Sequence, residues 1–509
     1  MSSDTKNSSP EEQPLKETTE TLKKESFEQR SFIEKIWLIK SNISVEPVLA
    51  GLIIPSMLAR LAIQNLNLDK ACRVRLNYTD EICDSFIERK GNLTFYEGEV
   101  QKVISNIETW KSVVQTAIPT ILVILMGAWS DRTGNRKLCI LLPLFGEFLV
   151  CISNILSTFF FYEISIEITM FLEALCPAVT GGWVMIALGV FSYISDITDE
   201  ESRTFRVGLV NFTFTAGIPI GTALSGILLK IWGYYGVFFL SGTIYLITIT
   251  YGLICLKTKT KPGIEYSQNE KALTFCNIFT LVKETVAVAF KKRDGNLRKK
   301  IILLLTMVAI IYGPNHGEDK IAYLFVRYRL KWDALKYSIY STYSIITHSL
   351  GVLFSISVFS KYWGFHDSML CIISLTSKFV VSVYIAFVRT DLDMYMVPLI
   401  QILNVTSYTS MRSMISKLVL PEEIGKIYSL FSLVDTLSSL VIEPTYSAMY
   451  ARTIQIFTGA VYIFHAIIVL PSMGISVWFF IQHRRETKLK KREAIEERIV
   501  YCETEVNSQ

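Results

Sequence analysis

Charge is scarce in this chain. Asp, Glu, Lys and Arg make up 19% of its 509 residues, against about 25% in soluble globular proteins. The shortfall is concentrated in long apolar blocks, each about 18 or more residues, the length that crosses a bilayer as a helix. A soluble fold is thereby excluded. The P-loop pattern is missing, which argues against pumping driven by ATP. No metal-ligand cluster and no nucleophile–base spacing stands out, so no metal, no cofactor and no enzymatic chemistry is expected. No cleavable signal peptide is visible: residues 1–30 are polar, rich in Glu, Lys, Ser and Thr, and read as disordered, leaving the first apolar helix to target the chain. The net charge of +5 is small, and its basic residues cluster in loops beside apolar blocks. That is membrane topology, not nucleic-acid binding.

Half of the chain is hydrophobic. The apolar blocks fall at 44–65, 106–129, 138–162, 167–195, 204–231, 235–256, 299–327, 337–360, 367–389, 392–416, 424–450 and 456–482. The expected fold class is therefore an all-α membrane protein of twelve transmembrane helices in two six-helix bundles. The expected parts are a disordered cytosolic N-terminus (1–43), a first bundle (44–256), a cytosolic central loop (257–298), a second bundle (299–482) and a cytosolic tail (483–509). No residue-level repeat links the halves, yet an equal split is what two bundles about a pseudo-two-fold axis produce. Basic residues follow spans 2, 4, 6 and 12, among them Arg132, Arg136, Lys137, Arg203, Arg206, Lys291, Lys292 and Arg484. Those loops belong on the cytosolic side, and both termini with them.

The loop 66–105 then lies outside. Asn77-Tyr78-Thr79 and Asn92-Leu93-Thr94 are glycosylation acceptors there. Asn211 and Asn404 match the same pattern inside spans, where they should be silent. Cys72 and Cys83 sit in that loop, in the oxidising compartment. A Cys72–Cys83 disulfide is expected; two free thiols or pairing with another chain are the alternatives. In the central loop, Phe275, Ile278, Phe279, Val282, Val286 and Phe290 recur at helical spacing. They suit a helix on the inner leaflet or a packed linker.

Between spans 2 and 3 runs Gly127-Ala128-Trp129-Ser130-Asp131-Arg132-Thr133-Gly134-Asn135-Arg136-Lys137. Gly134 permits a tight turn. Asp131 suits the positive end of span 11, which Pro421-Glu422-Glu423 introduces. Arg136 suits Asp196 at the end of span 4. With Arg203 and Arg206 these residues form an expected cytosolic gate that latches the bundles; the alternative is a solvated turn.

Ionisable residues inside spans are costly and mark solute pathways. Span 7 carries Gly313-Pro314-Asn315-His316-Gly317-Glu318-Asp319. Either Gly and Pro kink the helix and turn His316, Glu318 and Asp319 towards a cavity, or span 7 ends near Gly313. A histidine beside carboxylates is a proton acceptor near neutral pH. Arg412 in span 10 suits an anionic solute or snorkels. For Glu147, Glu173, Lys378, His348, Asp435 and Glu443, pairing with a neighbouring helix is the first expectation.

The Gly127–Lys137 loop, with an Asp and an Arg bracketing a Gly, resembles the signature loop of the major facilitator superfamily. Further stretches are Val45-Glu46-Pro47, Ser202-Arg203-Thr204-Phe205-Arg206, Trp332-Asp333, and Arg412 followed by Ser416-Lys417-Leu418-Val419, Glu423, Gly425 and Ser429. Together they resemble the solute-carrier family that contains the proton-coupled folate transporter. The resemblance implies proton-coupled uptake of organic anions such as reduced folates; other members are implicated in moving cell-wall fragments and exporting conjugated or steroid-like solutes from lysosomes. Arg412 matches a span 10 arginine implicated in coupling and folate binding, and Asp319 an acidic span 7 position. The family's coupling glutamate falls at Asn211, its span 4 aspartate at Gly182, and its span 7 histidine near Pro314. Asn211 cannot exchange a proton at physiological pH, so coupling would use Asp319, Glu318, His316 or Glu173.

The resulting expectation is a secondary transporter of a small organic anion (folate-like, muropeptide-like or a conjugated amphipath), working by alternating access with protons as a partner, in the plasma membrane. The alternatives are a lysosomal exporter of the same fold and a solute receptor that does not transport.

Overall fold

The computed structural model describes residues 45–89, 93–197, 200–256, 297–355, 358, 362, 365–404, 406–419 and 424–506. Span 1 is α1 (Glu46–Lys70), which carries Pro at its first turn, where the missing N–H costs nothing. A π-turn (Ala71–Arg75) and the short α2 (Asp80–Glu88) follow. Span 2 is α3 (Thr94–Thr133) and span 3 is α4 (Arg136–Phe159). Span 4 is α5 (Ile166–Val179) and α6 (Gly182–Ile197). Spans 5 and 6 form α7 (Glu200–Cys255), bent at Gly233, where φ is 63°.

The second half opens with α8 (Leu297–Leu330, span 7) and α9 (Ala334–Phe354, span 8). Then come α10 (Asp367–Ala386, span 9), and α11 (Asp391–Ile400), a 3₁₀ turn (Gln401–Leu403) and α12 (Thr406–Ser416) as span 10. The last two spans are α13 (Ile424–Thr453) and α14 (Ala460–Val506).

Between α3 and α4 the chain reverses at Gly134, whose φ of 69° a side chain would strain; the preceding Ser130 carbonyl accepts its N–H. This turn marks one face of the molecule, the hairpin face. The Sγ atoms of Cys72 and Cys83 are bonded, with Cα atoms 6.0 Å apart, and mark the other, the disulfide face.

Several helices outrun their apolar blocks. α1 and α3 shorten the expected loop 66–105 from both ends, α2 occupies part of the remainder, and α14 continues to Val506 in the tail expected at 483–509. Hydropathy locates the membrane-embedded part of a helix; backbone bonding continues into water wherever the sequence tolerates it. The apolar stretch Phe275–Phe290 lies outside the described residues.

Two seams join the halves. α3 packs along α13, and α7 along α9. Adding six to each span number converts the first pair, spans 2 and 11, into spans 8 and 5, the second pair. The pseudo-two-fold is thus present in packing although the sequence shows no repeat. At the α7–α9 seam a Cβ on Gly226 would lie 2.3 Å from Ser338 Oγ and 2.9 Å from the Ala334 carbonyl; the approach requires glycine.

The cores show how the halves meet. On the disulfide face one apolar cluster is shared: Leu61, Phe86 and Val100 pack with Tyr323, Trp332 and Tyr450. Towards the hairpin face the described core divides into one cluster per half. Large apolar side chains such as Ile121, Phe171, Phe212, Ile227, Phe239 and Ile254 stay exposed on the outer surface, as a lipid-facing belt requires.

Candidate functional site

Span 7 is unbroken through Gly313 and Pro314, so of the two alternatives the one in which it ends there is overturned: α13 packs close against Gly313 and Gly317 and supports the helix. A continuous helix sorts its charges by angle. Glu318 and Lys320 are two residues apart, about 200° around the axis, and face opposite ways; Lys320, Tyr323 and Arg327 share one face.

Glu318 turns into its own half. Its Oε2 binds Lys378 Nζ of α10 at 2.5 Å, and its Oε1 lies 2.6 Å from His465 Nδ1 of α14. His465 is fully buried. One carboxylate thus ties three helices.

The Lys320 face looks across to the first half. Its Nζ lies 3.4 Å from Glu108 and 3.0 Å from Gln115 Oε1 of α3, and 3.7 Å from Glu443 of α13. Glu108 also contacts Lys111 at 3.5 Å, and Lys111 binds Glu173 of α5 at 2.8 Å. Asn67 of α1 donates to both Glu173 oxygens, at 3.3 and 3.0 Å. Beside this ladder lies a cavity of about 330 Å³. Arg60, Gln64, Glu108, Lys111, Glu147 and Lys320 supply its polar wall; Met57, Trp183, Phe238 and Leu324 are among its apolar lining. That mixture suits an amphipathic small molecule. Arg60 donates to the Asp319 backbone carbonyl at 3.2 Å and is otherwise exposed to the cavity.

One turn beyond Leu324 of the cavity wall, towards the disulfide face, lies Arg327, only 2% exposed. Its Nε lies 3.1 Å from Glu97 of α3. Nη1 donates to Asn65 Oδ1 of α1 at 3.2 Å, and Nη2 to the Phe86 carbonyl of α2 at 3.3 Å. Its guanidinium also covers the Phe86 ring at 4.6 Å. Tyr323 donates to Asn65 at 3.0 Å, Tyr450 to Gln101 at 2.9 Å, and Gln455 to Glu99 at 2.7 Å. All of these bonds cross between halves. Arg89 holds the other Glu97 oxygen at 2.6 Å.

The expected gate residues are placed as follows. Arg136 Nε binds Asp196 Oδ2 at 2.9 Å, and its Nη1 donates to Ser130 Oγ at 3.2 Å. Arg206 lies 3.5 Å from Glu46. Both of these pairs join helices of the first half, because α4 and α6, and α1 and α7, are neighbours there. The side chains of Asp131 and Arg203, and residues 420–423 that were to receive Asp131, lie outside the described residues. Arg412 is stacked among Tyr408, Tyr428 and Phe431, with its guanidinium 4.4, 5.7 and 5.3 Å from their centroids. It is not part of the cavity lining.

His316 pairs with Asp435 of α13 at 3.4 Å, and Asp319 is exposed beside Arg60. Asn211 is exposed on α7 and away from the cavity lining. Glu173 is buried in the ladder. Asn77 is exposed, in a left-handed backbone conformation (φ 52°); Asn92 lies outside the described residues. Sequence reasoning passed over Arg60, Glu108, Lys111, Lys320, Glu97 and Arg327. The cost of a charge inside an apolar block was the available signal for Arg60, Glu108, Lys111 and Lys320.

Two six-helix halves meeting along paired seams, with a polar cavity walled by the first half and closed by Lys320 and Leu324 of the second, define a secondary transporter of the alternating-access class. The chain belongs to the Major Facilitator Superfamily, whose family model matches residues 109–442. It is 24% identical over 449 residues to the lysosomal proton-coupled steroid conjugate and bile acid symporter SLC46A3 of Gallus gallus, covering 86% of this chain and 94% of that one. It is 20% identical to the probable peptidoglycan muropeptide transporter SLC46 of Drosophila melanogaster (87% and 86% covered). It is 23% identical to the proton-coupled folate transporter of Rattus norvegicus (69% and 74%). Among solved structures, the human organic anion transporter MFSD10 superposes with a TM-score of 0.55 at 15% identity, over 85% of this chain and 98% of that one. The peptide-family transporter PepTSo gives 0.55 at 12%, over 87% and 98%.

Proposed function

We propose that this transporter carries a small amphipathic organic anion together with protons, and that the solute occupies the cavity between α1, α3, α4 and α8. The observation that carries this reading is Arg60. Among the described residues the cavity's two lysines are each held by carboxylates within 4 Å, whereas Arg60, exposed to the cavity beside Asp319, donates to the Asp319 backbone carbonyl and closes no ion pair. A guanidinium of that kind is built for a carboxylate or sulfate, and Trp183 and Phe238 suit the apolar part of the solute. Arg412, stacked on three rings, serves the packing of the second half. The steroid-conjugate, muropeptide and folate relatives support the solute class, and the proton-coupled ones support the coupling.

The basic loops support an orientation with the hairpin face and both termini in the cytosol. The cytosolic gate then includes Asp131 and Arg203, while Arg136–Asp196 and Arg206–Glu46 brace its first half. The disulfide face is the outer one, and Asn77 and Asn92 are glycosylated there. The plasma membrane is the proposed site, since the tails lack a clean acidic-dileucine or tyrosine sorting signal; the lysosomal relatives favour the lysosomal membrane as the second reading. The lysosomal lumen is topologically outside, so one mechanism serves both. Uptake of labelled taurocholate, estrone sulfate, a muropeptide and a reduced folate tests the proposal, with Arg60→Ala and Arg412→Ala beside the parent. Arg60→Ala should raise KM at least tenfold, and Arg412→Ala should change abundance more than KM. Uptake of none of the four by the parent, or an unchanged KM in Arg60→Ala, rejects it.

A further inference from the structure

The carboxylates of the central cavity fall into two kinds. Glu108 lies within 3.5 Å of both Lys111 and Lys320, and Glu173 is bonded to Lys111 and Asn67. Glu147, on α4, lines the same cavity and has no ion-pair partner among the described residues. The titratable groups facing it are uncharged ones: Cys151 one turn along α4, Cys176 from α5 and Tyr245 from α7. α6 contributes Trp183 to this wall. The cations that share the cavity are engaged elsewhere: Lys111 and Lys320 from α3 and α8 with Glu108, and Arg60 from α1 with the Asp319 carbonyl.

A bare carboxylate at membrane depth is costly to keep ionised. It needs a cation, a set of donors, or a proton, and among the described residues Glu147 has neither of the first two. The cavity volume of about 330 Å³ is room for about ten waters, enough to connect the carboxyl to a proton source. We propose that Glu147 is the residue that carries the coupling proton. The inference rests on the proposed anion transport and names the group that replaces the missing acid at Asn211. A proton from water on the loading side forms the O–H bond at the Glu147 carboxylate. The same bond breaks to water on the releasing side, so one proton moves per cycle. The solute's negative charge is met by Arg60, and that of the Glu147 carboxylate by the proton. A cavity holding both can close around its contents, while a cavity holding only one would bury a bare charge. That rule couples the two fluxes without any contact between Arg60 and Glu147.

Two measurements test this. The first needs no solute. Dicyclohexylcarbodiimide attacks protonated carboxyl groups in apolar surroundings, and peptide mass spectrometry of the purified full chain locates the adduct. Glu147 should be labelled, with a yield that falls as pH rises, while the ion-paired Glu173 stays unmodified. Absence of an adduct at Glu147, or a yield that ignores pH, overturns the proposal. The second uses proteoliposomes with labelled taurocholate and estrone sulfate as probes. One proton per solute should give about a tenfold accumulation ratio per unit of pH gradient. In Glu147→Gln the ratio of uptake with and without the gradient should fall to one, and Glu147→Asp should restore it. Persistent gradient dependence in Glu147→Gln overturns the proposal. A zwitterionic solute bridging Arg60 and Glu147 predicts instead that Glu147→Gln raises KM and leaves the gradient ratio intact. If the parent moves neither probe, the anion reading fails for these solutes, and the labelling result still decides the role of Glu147.

Discussion

Removing Arg327 should open the disulfide face. In the closed arrangement its guanidinium serves three acceptors on three first-half helices, at 3.1, 3.2 and 3.3 Å, from a site that is 2% exposed. Breaking a buried ion pair by deleting one partner costs about 3–5 kcal/mol. Arg89 keeps its hold on Glu97 at 2.6 Å, which moderates the loss to about 2–3 kcal/mol of closed-state stability. At about 1.4 kcal/mol per decade, the ratio of closed to open molecules falls about 30- to 150-fold. In the open state Arg327 would face water, so little of this loss is shared. Spin labels on unnatural amino acids at Glu81 and Leu392, both exposed and on opposite halves of this face, report the change by pulsed electron resonance. A longer distance population should appear in Arg327→Ala. Arg327→Lys should fall between the variant and the parent, because one ammonium cannot reach three diverging acceptors. Unchanged distances in a folded, monodisperse Arg327→Ala would refute the idea that this residue locks the face.

Three further outcomes follow from the packing. Glu318→Ala leaves Lys378 and His465 buried without their carboxylate and should cost about 3–5 kcal/mol, read as a lower unfolding temperature in detergent, with Glu318→Gln milder. Gly226→Val should cut transport more than tenfold while the protein still reaches the membrane, since its side chain would collide with Ser338 and the Ala334 carbonyl at the α7–α9 seam; uptake normalised to surface abundance reads this. Replacing Cys72 and Cys83 together with Ser, which opens a loop of sequence separation 11, should destabilise by about 3 kcal/mol in the chain-entropy account, and thermal unfolding with and without reductant measures it.

Much of the architecture was legible because its causes are local. Apolar length reports a bilayer crossing, so the spans emerged from composition along the chain. The Gly134 turn announced itself because only glycine rests comfortably at φ 69°. The charge networks were harder. Glu97 and Arg327 are 230 residues apart, and no pattern in one sequence says that they meet. Arg136–Asp196 was anticipated as a pair, but which helices it joins depends on packing order, and it links neighbours within one half. The bidentate chemistry of its guanidinium marks Arg412 as an anion site in the sequence; that three aromatic rings, brought together by α12 and α13, surround it was not legible there. Glu147 sat in the same category as Glu173 until the fold gave one a lysine and left the other bare.

The single rod of α8 has a mechanical consequence. Thirty-four residues at 1.5 Å each make a shaft about 50 Å long, and it carries the Glu318 anchor, the Lys320 contacts and the Arg327 lock within ten positions. With no joint between these points, twist applied at mid-depth reaches the outer lock undiminished. Any movement of the Lys320 contacts therefore loads the bolt at Arg327 in the same stroke, and a flexible insertion between the two would let the machine slip.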